Sequence, residues 1–398
     1  MKKILSRLRD RMKEDNRLRV KKSYYTFSRE YPAGNIPIKR RKNRKRYSGI
    51  IKLATGGITC IILVCLSFFL VSLGLEISSS EPDPSDSSPT EVGESLLESD
   101  GVRAICMPYE KLGNTKYLNS FVRKAKRMDC NSVVITFKTP EGRLNYFSTL
   151  DYAIKGRCSA FYNDTVRSAV DIFEENGISI IARLHCFPDT AIATSSPELA
   201  VKYMDTDINW LDGSDEEGGR PWLDPCIDES RGYIIGIMKE LYGLNIKGFI
   251  LEDCCFPDSK SVGTATFSAS ENPAERNEAL RKLFTDADEA LPDDAFVLMS
   301  YTATDATDGN EALYYGSLAD ADYQGFTADL SVRDPIYTVD RKSKYSSMLS
   351  LFALIEAKNP GKEFIPVIST EEYSSRYIST ITKAGYTSYI IYSADGEY

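Results

Sequence analysis

Short apolar runs alternate with amphipathic helical stretches from Gly101 to Tyr398, and eight such runs can be counted. The rhythm predicts an α/β fold, a closed (β/α)8 TIM barrel, whose chemistry sits at the C-terminal ends of its strands. About 300 residues suit one barrel with modest loop insertions. The runs are Arg103–Met107, Ser132–Lys138, Ile178–His185, Gly248–Glu252, Ala295–Tyr301, Tyr323–Ala328, Glu363–Ser369 and Ser388–Tyr392. The sixth, within ADYQGFTADLS, has the least regular pattern.

Helical spacing falls between the runs. Thr165–Asn176 carries Val166, Val170 and Phe173 on one face and stops at Gly177. Glu229–Tyr242 carries Ile234, Ile237, Met238 and Leu241 and stops at Gly243. Those intervals are the helical period, and the glycines are stop signals.

The chain before the barrel divides by composition. Residues 1–52 hold 19 of the 49 basic residues and only 4 of the 57 acidic ones, so the overall charge of −8 hides a basic tail and an acidic remainder. The next 23 residues, Leu53–Leu75, are uncharged and apolar. About 20 such residues span a bilayer as a helix. The basic cluster on their N-terminal side predicts a cytoplasmic tail and an extracellular C-terminal domain, hence a single-pass protein of the cell membrane. A cleaved signal peptide has a shorter basic region and a shorter apolar core. Beside a membrane span the tail reads as topology-setting or lipid-binding. It carries no nucleic-acid-binding motif, so no nucleic-acid partner is expected. Residues 76–100, EISSSEPDPSDSSPTEVGESLLESD, are poor in large apolar side chains and read as a disordered linker.

Strand phase selects the site. Alternation turns Phe249 and Leu251 to the helices and Gly248, Ile250 and Glu252 inward. It likewise turns Thr136 and Lys138 inward on the second run, and Arg183 and His185 on the third. Lys138, Arg183 and Glu252 are then expected around one pocket, where charge is either paired or functional. An ion-pair network that merely fills the barrel top is the bland alternative.

These residues resemble a bacterial family of extracytoplasmic TIM barrels classed as glycoside hydrolases. Its fourth strand ends in a block like F-D-Y-V-R-F-P, here Leu251-Glu252-Asp253-Cys254-Cys255-Phe256-Pro257. Its third strand looks like A-R-x-V-x-F-x-D followed by P-E-L-A-V, here Ala182-Arg183-Leu184-His185-Cys186-Phe187-Pro188-Asp189 and Pro197–Val201. Its W-V-N-P is similar to Trp222-Leu223-Asp224-Pro225, and its closing L-W-N-A-x-N-x-Y to Ile391–Tyr398. The chain departs from the pattern where the family's strand-four Asp falls on Glu252 and its Arg on Cys255. A strand-two carboxylate becomes Thr136, and a strand-seven Asp becomes Thr370 unless Glu371 substitutes.

The resemblance implies hydrolysis of an extracellular or cell-wall polysaccharide by carboxylate acid/base chemistry, with no cofactor and no metal. Most glycosidases need two carboxyl groups flanking the scissile bond. Glu252 is the first candidate, with Arg183 beside it suiting a nucleophile or base. Glu371 is the expected acid, sharing a phase with Ile365, Val367 and Ser369, with Asp305 and Asp329 in reserve. Asp253 is disfavoured as a catalyst by phase but could bind substrate, as could Arg183, Lys138 and His185. Trp210 and Trp222 lie in the long loop after the third strand, where their rings could stack on sugars or cap the barrel's own rim. The loop's acids lack the calcium-loop spacing. The single histidine excludes a multi-histidine metal site, and no nucleophile-elbow, phosphate-loop or dinucleotide motif follows a strand. A Cys254 or Cys255 nucleophile with His185 as base is a further arrangement. The other readings are an inactive barrel that binds cell-wall glycan or a protein partner, and a scaffold whose basic tail is the working part.

Overall fold

The computed structural model describes residues 95–213, 219–268, 272–309, 311–330, 344–369 and 375–393. The apolar run 53–75 lies outside them, and among the described residues no helix is long and apolar enough to cross a membrane.

Eight parallel strands close into a barrel: β1 (Arg103–Met107), β2 (Ser132–Lys138), β3 (Ser179–His185), β4 (Gly248–Glu252), β5 (Phe296–Thr302), β6 (Gly325–Asp329), β7 (Glu363–Ser369) and β8 (Tyr389–Tyr392). Each pairs with its sequence neighbours, and β8 closes on β1 with Arg103 opposite Tyr389. Helices α1 (Thr115–Arg127), α2 (Asp164–Glu174), α3 (Asp228–Tyr242), α4 (Pro273–Ala290), α5 (Lys344–Lys358) and α6 (Ser375–Lys383) lie between strands. The Asn114 side chain caps α1 by accepting from the Tyr117 amide, and Leu118, Phe121, Val122 and Ala125 form its buried face. Helix α2 buries Val166, Ala169, Val170 and Phe173, the stripe expected from spacing. It is followed by Gly177 at φ 68°, a left-handed stop that glycine adopts without strain.

The register stacks the inward residues in layers drawn from alternate strands, the arrangement that fills such a barrel. Ala104, Ile181, Leu298 and Ile365 make one apolar layer, and Val134, Ile250, Thr327 and Ile390 the next. Above them come Cys106, Arg183, Ser300 and Val367, then Thr136, Glu252, Asp329 and Tyr392 at the C-terminal mouth. Across these four layers polarity rises toward the mouth. At the floor the Phe296 ring occupies the space a Cβ at Gly248 would need, so glycine is required there.

Residues 95–100, assigned to the linker by composition, instead begin the domain. Leu96–Ser99 form a short helix capped by the Ser95 side chain, and Leu97 is buried against the inner core beside Val102 and Phe296. Burying one such leucine stabilises by about 2 kcal/mol and ties the turn to the barrel floor. Composition averaged over 76–100 hides this pair of leucines.

Candidate active site

Arg183 rises from β3 into the middle of the mouth. Its Nε lies 3.3 Å from Glu252 Oε1 on β4, its Nη2 donates to Cys106 Sγ on β1 at 3.4 Å, and its guanidinium sits 5.7 Å from the Tyr392 ring centroid on β8. The Nε contact lacks hydrogen-bond alignment, so it is a charge pairing rather than a directed bond. Burial alone would weaken the guanidinium's hold on its proton. Cys106, Glu252 and Tyr392 outweigh that and raise its pKa, so Arg183 is a fixed cation. Burial pushes the Cys106 thiol and the Tyr392 phenol up, and both stay protonated at neutral pH. The pair is sealed below and open above, with side-chain exposures of 16% for Arg183 and 28% for Glu252.

Asp329 is the second carboxylate of the uppermost layer. It stands at the end of β6, two strands from Glu252, and is close enough to act electrostatically on Cys106 and Tyr392. The predicted sixth strand stops one residue short of it. Asp305 lies in the first turn of the helix Ala303–Asp308, which Thr302 caps: the Thr302 hydroxyl accepts from the Asp305 amide at 3.0 Å and donates to its carboxylate at 2.6 Å. Glu371 lies outside the described residues.

His185 and Asp253 meet at the same rim, with Nδ1 and Oδ2 2.6 Å apart. Strand alternation would send Asp253 toward the helices. Its left-handed backbone, φ 50°, breaks the alternation and turns the carboxylate to His185. A left-handed turn at a non-glycine residue leaves no clear mark in the apolar pattern, so phase alone misplaces Asp253.

Lys138 does not join this pocket. The register slips between Thr136 and Lys138, which faces Leu184 rather than an inward residue. A β-bulge of this kind re-aims the following side chain. Lys138 is fully buried, pairs with Asp189 at 3.0 Å, and donates to the carbonyls of His185, Cys186 and Pro188. Asp189 in turn caps the helix Thr190–Ser195 through the Ile192 amide. The predicted substrate ligand is therefore the staple of the β3 loop.

The two tryptophans cap the rim instead of presenting faces to solvent. Trp210 is fully buried and donates to the Ser261 carbonyl, while Trp222 is 8% exposed and donates to Asp212. Asp212 and Asp224 are engaged by backbone amides of Arg220, Cys226 and Ser268. Among the described residues no group of three His, Cys, Asp or Glu side chains is placed to hold a metal. Cys254 and Cys255 are buried, and that burial pushes both thiols well up, which removes them as thiolate nucleophiles.

Comparison with known proteins finds no match among curated ones. A solved hypothetical protein from Ruminiclostridium thermocellum is 26% identical over 49% of this chain and 96% of its own, with a TM-score of 0.43. Eubacterium rectale Amy13B is 10% identical over 79% of this chain and 69% of its own, with a TM-score of 0.47. The alpha-galactosidase TtGalA of Thermus thermophilus is 12% identical over 76% and 58%, with a TM-score of 0.46. Residues 104–305, just over half of the chain, match the family model described as "Putative glycosyl hydrolase domain". They span β1 to β5 and hold Arg183, His185, Glu252 and Asp253, so the chain belongs to that glycosyl hydrolase domain family.

Proposed function

We propose that this protein hydrolyses glycosidic bonds of an extracellular or cell-wall polysaccharide at the C-terminal mouth of its barrel. The observation that carries this reading is the Arg183–Glu252 pair, sealed below and open above at the strand ends of a family barrel. Glu252 acts as the base or nucleophile. Arg183 shapes the pocket and holds the carboxylate in place. A carboxylate at the strand end with one side open to the mouth suits either role. The partner acid expected from sequence is Glu371, and Asp329 shares the uppermost layer with Glu252.

We further propose that residues 53–75 anchor the chain in the cell membrane, with the basic tail inside and the barrel outside. The charge step across that run supports this orientation. Protease added to intact cells should then digest the barrel and spare residues 1–52, and protection of the barrel would refute the topology.

A second reading is a barrel that binds cell-wall glycan or a protein partner without cleaving it. The commitment of Lys138 and both tryptophans to internal contacts favours it, since three polar or aromatic groups expected at the site are absent from it. The test is reducing-end release by the purified whole chain on a panel of wall and storage polysaccharides. Release establishes hydrolysis, whereas retained binding without release selects the second reading.

A further inference from the structure

The chain contains one histidine, and the fold puts it beside the leading carboxylate. His185 and Glu252 are register partners on β3 and β4, both in the inward phase. Asp253 follows Glu252 directly and holds Nδ1 of the ring at 2.6 Å. Residues in sparsely populated backbone regions cost about 1–3 kcal/mol and persist where the surroundings hold them. Here the left-handed Asp253 is the turn that delivers the carboxylate to the imidazole.

The charge of Asp253 follows from its surroundings. Burial would push the Asp253 carboxyl up. The His185 hydrogen bond, with the positive field of His185, Arg220 and Lys138, brings it below the ordinary carboxylate range. Asp253 is therefore an anion, able only to accept, so Nδ1 donates to it and Nε2 is the ring atom left for a second partner. Among the described residues Nε2 has no hydrogen-bond partner, and the side chain is 23% exposed at the rim. The charged groups around the ring are Arg183 on its own strand, Glu252 at the end of β4 with Asp253 just after it, and Lys138 of β2, whose ammonium donates to the His185 carbonyl. Arg220 from the loop acts on it through Asp253.

Resting on the glycosidase reading above, we propose that His185, oriented by Asp253, is the proton donor of the reaction in place of a second carboxylic acid. The imidazolium gives its Nε2 proton to the glycosidic oxygen as the bond from that oxygen to the anomeric carbon breaks. The oxygen of a water molecule bonds to the anomeric carbon, and that water's proton passes to Glu252. Glu252 then releases a proton to solvent and His185 regains one. One water is consumed, two hydroxyl-terminated products form, and nothing is oxidised or reduced. Asp253 is a positioning residue, fixing the ring's tautomer and direction.

The test uses the whole chain with a histidine-free affinity tag and the polysaccharide on which the wild type releases reducing ends. His185→Gln should lower kcat on that glycan by about 100-fold or more with little change in KM, the size expected of a lost general acid. The same variant should retain most of its activity on a dinitrophenyl glycoside, whose leaving group needs no proton. Imidazole in solution should partly restore His185→Gly, which a purely structural role would not permit. Asp253→Asn should lower kcat less, and nitrogen NMR of the single labelled histidine should show the ring leaving the Nδ1-protonated tautomer. Glu371→Gln is run beside them. If Glu252→Gln is inactive while His185→Gln is fully active, the donor assignment falls and the glycosidase reading stands. The assignment also falls if Glu371→Gln alone shows the leaving-group dependence. If the wild type cleaves neither polysaccharide nor aryl glycoside, the glycosidase reading falls and takes the donor with it.

Discussion

Two ion pairs stand one strand apart in this barrel, and they have opposite fates. Lys138 and Asp189 are both fully buried, and their polar atoms go to each other, to three carbonyls and to a helix cap. Arg183 and Glu252 are buried beneath but face the mouth, and Glu252 keeps an exposed side. Lys138 and Glu252 each end a strand, so sequence position alone does not separate the two pairs. The difference is how much of each group's bonding capacity the protein uses itself. A sealed pair holds a loop in place, and a pair with an open side can act on another molecule.

That comparison can be broken first at the sealed pair. Lys138→Met removes the donor for three carbonyls and leaves a buried carboxylate without its cation. Breaking a buried pair this way costs about 3–5 kcal/mol, and urea denaturation should register a loss of that size. A loss under about 1 kcal/mol would mean that Lys138 is no more structural than a surface charge.

Glu240 gives an intermediate case. Its carboxylate on α3 accepts from Tyr146 at 2.7 Å, Ser148 at 2.6 Å and both the amide and hydroxyl of Thr149. Burial raises its pKa, but those donors outweigh it and bring the group below the ordinary 4.5. A carboxylate depressed in the folded state stabilises above its unfolded value, and that contribution is lost as pH falls through the folded value. Glu240→Gln should cost about 1–2 kcal/mol near neutral pH, the scale of hydrogen bonds to a charged acceptor. It should also flatten the decline in stability as pH falls below 4.5. An unchanged acid limb in thermal melts would remove Glu240 from this account.

The smallest stability effect belongs to the open pair. Glu252→Gln keeps the shape of the side chain, and partly exposed pairs contribute about 0–1 kcal/mol. A loss as large as that at Lys138 would erase the distinction between the two sites.

Much of this was legible in the sequence. The eight apolar runs locate all eight strands within two residues, because buried parallel strands need continuous apolar stretches. The Arg183–Glu252 neighbourhood followed from side-chain alternation, which holds as long as the strand stays regular. Where regularity fails, so does the reading. A bulge before Lys138 reversed its direction, and a left-handed residue brought Asp253 inward. Asp329 sat just past the expected end of the strand with the least regular pattern, so it stood in reserve instead of beside Glu252. Trp210 and Trp222 are held by loop-to-loop hydrogen bonds to Ser261 and Asp212, partners that no periodicity encodes.

The central claim is that the open carboxylate on β4 does glycosidic chemistry. Its most direct test compares reducing-end release by the wild-type chain and Glu252→Gln on the same polysaccharide panel, with melting curves to show that both are folded. The account predicts release by the wild type and a loss of about 1000-fold or more in the variant, the scale of a missing catalytic nucleophile or base. Equal release by the two proteins would contradict it.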